Sequence, residues 1–213
     1  MNKIANSGPA DDGRADLHGA EQPSDWVKRW SHLVAAQGRV LDVACGYGRH
    51  AYWFYDRNHH LTLIDRAQEA IESIAIPVHG CEKIIADIES DPWPLGDRQF
   101  DAVVVTNYLW RPVMADLLAS LAPGGVLIYE TFAIGQETVG RPSRPDFLLR
   151  NAELLEVCSG LRTVAYEDGF LCDATFSAVG AGAPQPRFVQ RIAAVKQDMA
   201  RPATLPVQRY LLG

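Results

Sequence analysis

The sequence has no uninterrupted apolar run near the ~18 residues that a membrane-spanning helix needs, which excludes a helical integral membrane protein. Cysteine is scarce. Cys45, Cys81, Cys158 and Cys172 lie far apart, and no CxxC pair points to zinc or redox work. This set excludes a disulfide scaffold and fits reduced thiols, so a cytoplasmic location is expected. No basic start followed by an apolar run opens the chain, so no secretory signal is expected. A broad basic surface is also lacking: the net charge is −6 over 213 residues, and the acidic excess lies in residues 1–140. Such a body offers little to a phosphate backbone. The expected partner is a small molecule, with neither nucleic acid nor membrane, and the sequence leaves the oligomeric state open.

What is present is ordinary for a folded core, with 47% hydrophobic residues in a length that favours one large domain. Residues 1–22 are rich in Gly, Ala, Asp and Asn without apolar period, and read as a disordered arm. The domain is expected over 23–197, with a tail over 198–213. Ser24 stands at a helix N-cap position, followed by Trp26, Val27, Trp30, Leu33 and Val34 at helical spacing, and Gly38 as the stop. Short apolar runs then alternate with amphipathic stretches. Strands are expected at 39–44, 60–64, 83–86, 101–106 and 126–132. Helices are expected from Gly48, over 67–74, and over 113–121 with a stop at Pro123-Gly124-Gly125. Strand–helix alternation argues for an α/β, doubly wound, Rossmann-like parallel sheet with right-handed crossovers. After Phe132 the pattern breaks. Residues 134–150 form a Gly/Pro-containing insertion, too long to be a mere connector. Asn151 reads as the cap of a helix through Cys158. Two late strands, 162–171 and 187–195, flank a Gly/Ala/Pro-rich tip at 177–186.

The chemistry concentrates in Val40-Leu-Asp-Val-Ala-Cys-Gly-Tyr-Gly-Arg-His-Ala51. A strand runs into Gly46-Tyr47-Gly48 and then a helix, a turn in which glycine lets backbone approach a ligand and the helix start presents free N–H groups. Asp65 closes the second strand, where a carboxylate can accept hydrogen bonds from both hydroxyls of a ribose. These features make a nucleoside site, and two cofactor classes share them. Gly46-x-Gly48-x-x-Ala51 also satisfies the dinucleotide fingerprint, so a NAD(P)-dependent oxidoreductase is one reading. Asp42, inside the strand, argues against it. A carboxylate there repels a pyrophosphate but suits an α-ammonium group, and S-adenosylmethionine offers that ammonium with no phosphate.

VLDVACGYG resembles the first motif of class I S-adenosylmethionine-dependent methyltransferases. IDRA resembles their second motif, ADIES carries an acidic residue after strand three, FDAVVVTNYL resembles the fourth, and LLASLAPGGVLIYETF resembles the helix–PGG–strand that forms strand five. The insertion GRPSRPDFLL and the strand YEDGFL further resemble bacterial tellurite-resistance and thiopurine-type methyltransferases. The resemblance implies a seven-stranded sheet of order 3-2-1-4-5-7-6 with strand 7 antiparallel. It also implies cofactor contacts from Asp42, Ala44, Cys45 (through its backbone), Gly46, Gly48, Asp65, Arg66, Asp87, Ile88 and Asn107. Asp87 and Ile88 would face the adenine. Asn107 and Tyr108, after strand four, are the catalytic candidates beside the reactive methyl, although TNYL lacks the prolines of base- and glutamine-methylating families.

Methyl transfer from a sulfonium needs no metal; alignment and water exclusion are the protein's main contributions. The expected activity is transfer of a methyl group to a small-molecule acceptor under a lid-like insertion, 134–150, with Phe147, Leu148 and Leu149 as its apolar surface. A catalytically inactive S-adenosylmethionine-binding partner subunit is a third reading, because no general base stands out. His59-His60 lacks further metal ligands, His50 reads as a packing or capping residue, and Arg141, Arg144 and Arg150 read as solvated loop charges.

Overall fold

The computed structural model describes residues 22–172, 186–200 and 208–212. The arm at 1–22 (but for its last residue), most of the 177–186 tip and much of the 198–213 tail lie outside the described residues. Helix α1 (Asp25–Trp30) starts where Ser24 caps it, the Ser24 hydroxyl accepting from the Trp26 amide. A short 3-10 turn, Ser31–Leu33, carries the chain on towards the first strand. The sheet follows: β1 (Arg39–Val43), β2 (His60–Asp65), β3 (Cys81–Ile85), β4 (Phe100–Thr106), β5 (Leu121–Phe132), β6 (Arg162–Leu171) and β7 (Arg187–Val195). Helices α2 (Arg49–Tyr55), α3 (Gln68–Ser73), α4 (Met114–Ala119) and α5 (Glu153–Val157) complete it.

The strand order is β3-β2-β1-β4-β5-β7-β6, as the resemblance implies. β1 to β5 are parallel, and β7 runs antiparallel to both β5 and β6. Central strands are buried on both faces, which is why they read as near-continuous apolar runs. On one face Leu41, Val43, Val103, Val105, Leu127 and Tyr129 pack with the insertion and α5. On the other, Val40, Leu63, Val104 and Ile128 pack against Trp26, Trp30 and Phe54. The two tryptophans meet edge to face at 5.6 Å, and the Trp26 indole donates to the Ile192 carbonyl. Because β1 to β5 run parallel, their carboxyl ends share one rim, where open α/β sheets bind ligands.

Four local expectations are corrected. The third strand is Cys81–Ile85 rather than 83–86. α4 ends at Ala119, and the PGG segment lies inside β5. The reason is cross-strand: the Gly124 amide donates to the Lys196 carbonyl and the Lys196 amide to Gly125, which extends the strand through residues that would otherwise turn. Asn151 does not cap α5. Ala152 holds that position in the left-handed region (φ 58°) without a side-chain cap, while the Glu153 carboxylate takes the Arg150 amide. Finally, Leu148 and Leu149 do not form an outward apolar surface. Both are buried, packed under the sheet edge where Leu149 pairs with Ala133.

Candidate active site

The glycine turn forms because three residues after β1 take positive φ: Ala44 at 54°, Gly46 at 53° and Gly48 at 78°. A Cβ on Gly46 would meet nothing within 4 Å, so its backbone faces open space. On Gly48 it would strike the Ile74 side chain of the α3 segment at 2.8 Å. Gly46 thus leaves a ligand room, while Gly48 also lets α2 pack. The turn is tied to β2, since the Asp65 Oδ2 accepts from the Gly46 amide at 2.7 Å and Oδ1 from the Ala67 amide at 2.9 Å.

Asp42 lies in β1 just beneath this turn, 2% exposed. Its Oδ2 is buried without a hydrogen-bond partner. Burial pushes its carboxyl up to about 7; the nearby Arg49 charge pulls it down and Asp65 adds to the rise. Arg49 opens α2 and donates to the Thr106 hydroxyl at the end of β4. Burial, with Asp42 and Asp65 close by, raises the Cys45 thiol strongly, so it stays protonated and unreactive. His50, next along α2, is also buried; burial and the Arg49 charge drop it to about 3. Its neutral Nε2 accepts from the Ser24 amide.

Beyond β3, Asp87 closes a tight turn, accepting from the Glu89 amide and the Ser90 hydroxyl. Ile88 is buried beside it. Asn107 ends β4 in the left-handed region (φ 54°), its amide donating to the Glu130 carbonyl. Strain of this sort at a strand end collects at functional sites. The Tyr108 hydroxyl is buried and has no partner. Burial, then the Glu89 and Asp87 carboxylates, raise its pKa. The phenol therefore stays protonated at neutral pH and offers a donor, not a base.

Two cavities open along this rim. The first is lined by Ala44, Asp65, Arg66, Asp87, Ile88 and Tyr108 of the expected residues, with Ile64, Ala86 and Glu89. The second is lined by Asn107 and Tyr108 with Glu89, Leu109, Thr131, Phe132, Pro142 and Phe147. Glu89 and Tyr108 belong to both, so the cavities adjoin. Asp42 in β1 and Cys45, Gly46 and Gly48 in the turn after it line neither cavity. Sequence reasoning missed Glu89, Thr131 and Phe132. Glu89 follows Asp87 at the spacing of an Asx turn, which was the one local signal that fixed its backbone beside the cleft. Glu130, buried in an otherwise apolar strand, was also missed; it takes the Ser24 hydroxyl at 3.0 Å, Arg191 at 3.2 Å and Arg187 at 3.4 Å. Among the described residues, no group of three or more His, Cys, Asp or Glu is placed to hold a metal ion, and no helix is long and apolar enough to cross a membrane.

Residues 40–125 match the family model of a methyltransferase domain. Over that stretch the chain is similar to a methyltransferase domain, and its sheet has the class I methyltransferase order. This domain covers the glycine turn, Asp65, Asp87 and the β4 exit, and S-adenosylmethionine is the cofactor that goes with it. No curated protein matches the chain by sequence. Among solved structures, TehB from Haemophilus influenzae superposes with a TM-score of 0.63 at 17% identity, over 86% of this chain and 63% of that one. The chain thus spans less than two thirds of TehB. An S-adenosylmethionine dependent methyltransferase from Mesorhizobium loti gives 0.60 at 15% identity, over 78% and 95%. The N-methyltransferase NodS from Bradyrhizobium japonicum WM9 gives 0.57 at 16% identity, over 80% and 93%. At these identities the likeness is one of fold.

Proposed function

We propose that the methyltransferase domain is active and transfers a methyl group from S-adenosylmethionine to a small-molecule acceptor. The observation that carries this reading is the pair of adjoining cavities sharing Glu89 and Tyr108. One has the chemistry of a nucleoside site and the other is an aromatic-walled cleft beside it.

The residues fit the cofactor. Asp42 holds a buried oxygen without a partner, which a methionyl ammonium or a water serving it would satisfy. Each Asp65 oxygen accepts one backbone N–H and keeps a second acceptor position for a ribose hydroxyl. Asp87 and Ile88 would border the adenine, and the open face of Gly46 would admit the methionyl chain. When bound, the cofactor supplies an electrophilic methyl on a sulfonium whose sulfur leaves neutral. The chain's own work is then to hold the acceptor in line, keep water out with Phe132 and Phe147, and offer the Tyr108 hydroxyl as a neutral donor. A dinucleotide would place its pyrophosphate over Asp42 with no new cation to meet it, which counts against the oxidoreductase reading.

Titration calorimetry tests the proposal. S-adenosylmethionine and S-adenosylhomocysteine are expected to bind and NADH and NADPH not to bind at millimolar concentration. Tight NADH binding would overturn it.

A further inference from the structure

Resting on that reading, we infer that the acceptor is a small amine carried on an apolar body, and that Glu89 is the group that recognises it. Among the described residues, Glu89 is the one charged side chain lining the second cavity. Tyr108, Phe132 and Phe147 give it aromatic walls, and Asn107 and Thr131 add only neutral polar groups. Aromatic faces with a single carboxylate attract a cation and repel an anion.

Two cationic side chains close to the cleft, Arg66 and Arg144, are engaged outside it. Arg66 lies 3.7 Å from the Glu89 carboxylate on the side of the first cavity and is itself largely exposed. Arg144 lies over the Phe147 ring at 5.1 Å and pairs with Asp146 at 3.1 Å. Neither lines the second cavity. An oxyanion or carboxylate acceptor would therefore enter against Glu89 with no cationic side chain in the lining of the second cavity. A protonated amine meets a carboxylate, three ring faces and the Asn107 amide.

Glu89 also answers the chemistry an amine demands. An ammonium has no electron pair to donate, so one N–H bond must break first. The proton passes to a Glu89 carboxylate oxygen, and the freed pair on nitrogen forms the bond to the methyl carbon as the carbon–sulfur bond breaks and its electrons remain on sulfur. Product departure lets Glu89 return the proton to water. Tyr108 cannot serve in this step because its phenol stays protonated.

The test is binding of two probes of equal size and opposite charge, benzylammonium and benzoate, to protein saturated with S-adenosylhomocysteine, read by calorimetry. Benzylammonium is expected to bind more tightly, by about tenfold or more, the factor that one charge-assisted hydrogen bond supplies. Glu89→Gln should erase the preference and Glu89→Lys should reverse it. A parent protein that binds benzoate as well as benzylammonium, or binds neither at millimolar concentration, overturns the assignment, and so does an undiminished preference in Glu89→Gln. If S-adenosylhomocysteine itself fails to bind, the methyltransferase reading falls. The same probes titrated without it then show separately whether the cleft selects amines.

Discussion

Asp65 at the end of β2 accepts a hydrogen bond at 2.7 Å from the amide of Gly46 in the turn after β1. One carboxylate therefore shapes the glycine turn and is presented to whatever occupies the first cavity. Its other oxygen starts α3 through the Ala67 amide.

This double duty sets the outcome of Asp65→Ala. Loss of a charge-assisted hydrogen bond to ribose, about 1.5–3 kcal/mol, should weaken S-adenosylhomocysteine binding roughly 10–150-fold. Because two backbone amides also lose their acceptor, the empty protein should become less stable by about 1–2 kcal/mol. Calorimetry reads the first effect and urea denaturation the second. Unchanged affinity would remove Asp65 from the cofactor site.

Asp42 gives a pH signature. Its carboxyl is raised from 3.8 to about 7 by burial, so the native chain keeps a proton that the unfolded chain loses above pH 4. Asp42 therefore contributes stability to the empty protein that is lost as pH rises from 4 to 7, and Asp42→Asn should remove that contribution. A cation placed at Asp42 favours its ionised form, so binding of S-adenosylmethionine at pH 7 should release a proton. Calorimetry in buffers of different ionisation enthalpy reads this release, which should vanish in Asp42→Asn. Proton uptake by the parent would show that no cation sits at Asp42.

His50 works in the opposite sense. Burial holds it at about 3, from 6.5, so the unfolded chain takes up a proton that the native chain refuses. The contribution of His50 should fall as pH drops from 6.5 towards 3, against that of Asp42 above pH 4. His50→Gln keeps an acceptor for the Ser24 amide and should remove part of this acid limb in thermal melts. Glu153, held at about 2 against its own burial by Arg111 and Arg150, contributes only below about 4.5 and stays in the variant's profile. An unchanged slope between 6.5 and 4.5 would mean that His50 is charged in the fold.

The sheet was readable because its signals are local. The run at 101–106 is near-continuously apolar after its first residue, and the late strands at 162–171 and 187–195 match β6 and β7 to the residue. The glycine turn and Asp65 were legible for a related reason: strand, glycines, helix and acidic strand end follow one another in order along one short stretch of chain. What escaped depends on distant partners. The PGG segment reads as a stop until the Lys196 backbone pairs with it. Glu89 reads as a turn charge until the β4 exit and the insertion close a cavity around it. Leu148 and Leu149 look like a lid surface when their burial partners, such as Leu154, are not yet assembled.

The placement of Leu148 and its neighbours turns on Arg111. Following Tyr108 by three residues, Arg111 makes a paired contact with Glu153 at 2.7 and 2.9 Å and donates to the Asp146 and Leu148 carbonyls at 2.8 and 2.9 Å. One side chain thus ties the β4 exit, on one wall of the acceptor cleft, to the segment bearing Phe147 on the other. Arg111→Met leaves Glu153, 3% exposed, with Arg150 as its remaining cation. Breaking a buried pair costs roughly 3–5 kcal/mol, and the low end applies because Arg111 is itself one-third exposed to solvent. The cofactor cavity does not include Arg111, so S-adenosylhomocysteine should still bind, while amide exchange should speed up at residues 145–149. Arg111→Lys restores the charge but not the two-pronged geometry, and should recover only part of the protection. If exchange at 145–149 stays at the parent's rate in Arg111→Met, the insertion is held by the burial of Leu148 and Leu149 alone, and the width of the acceptor cleft does not depend on Arg111.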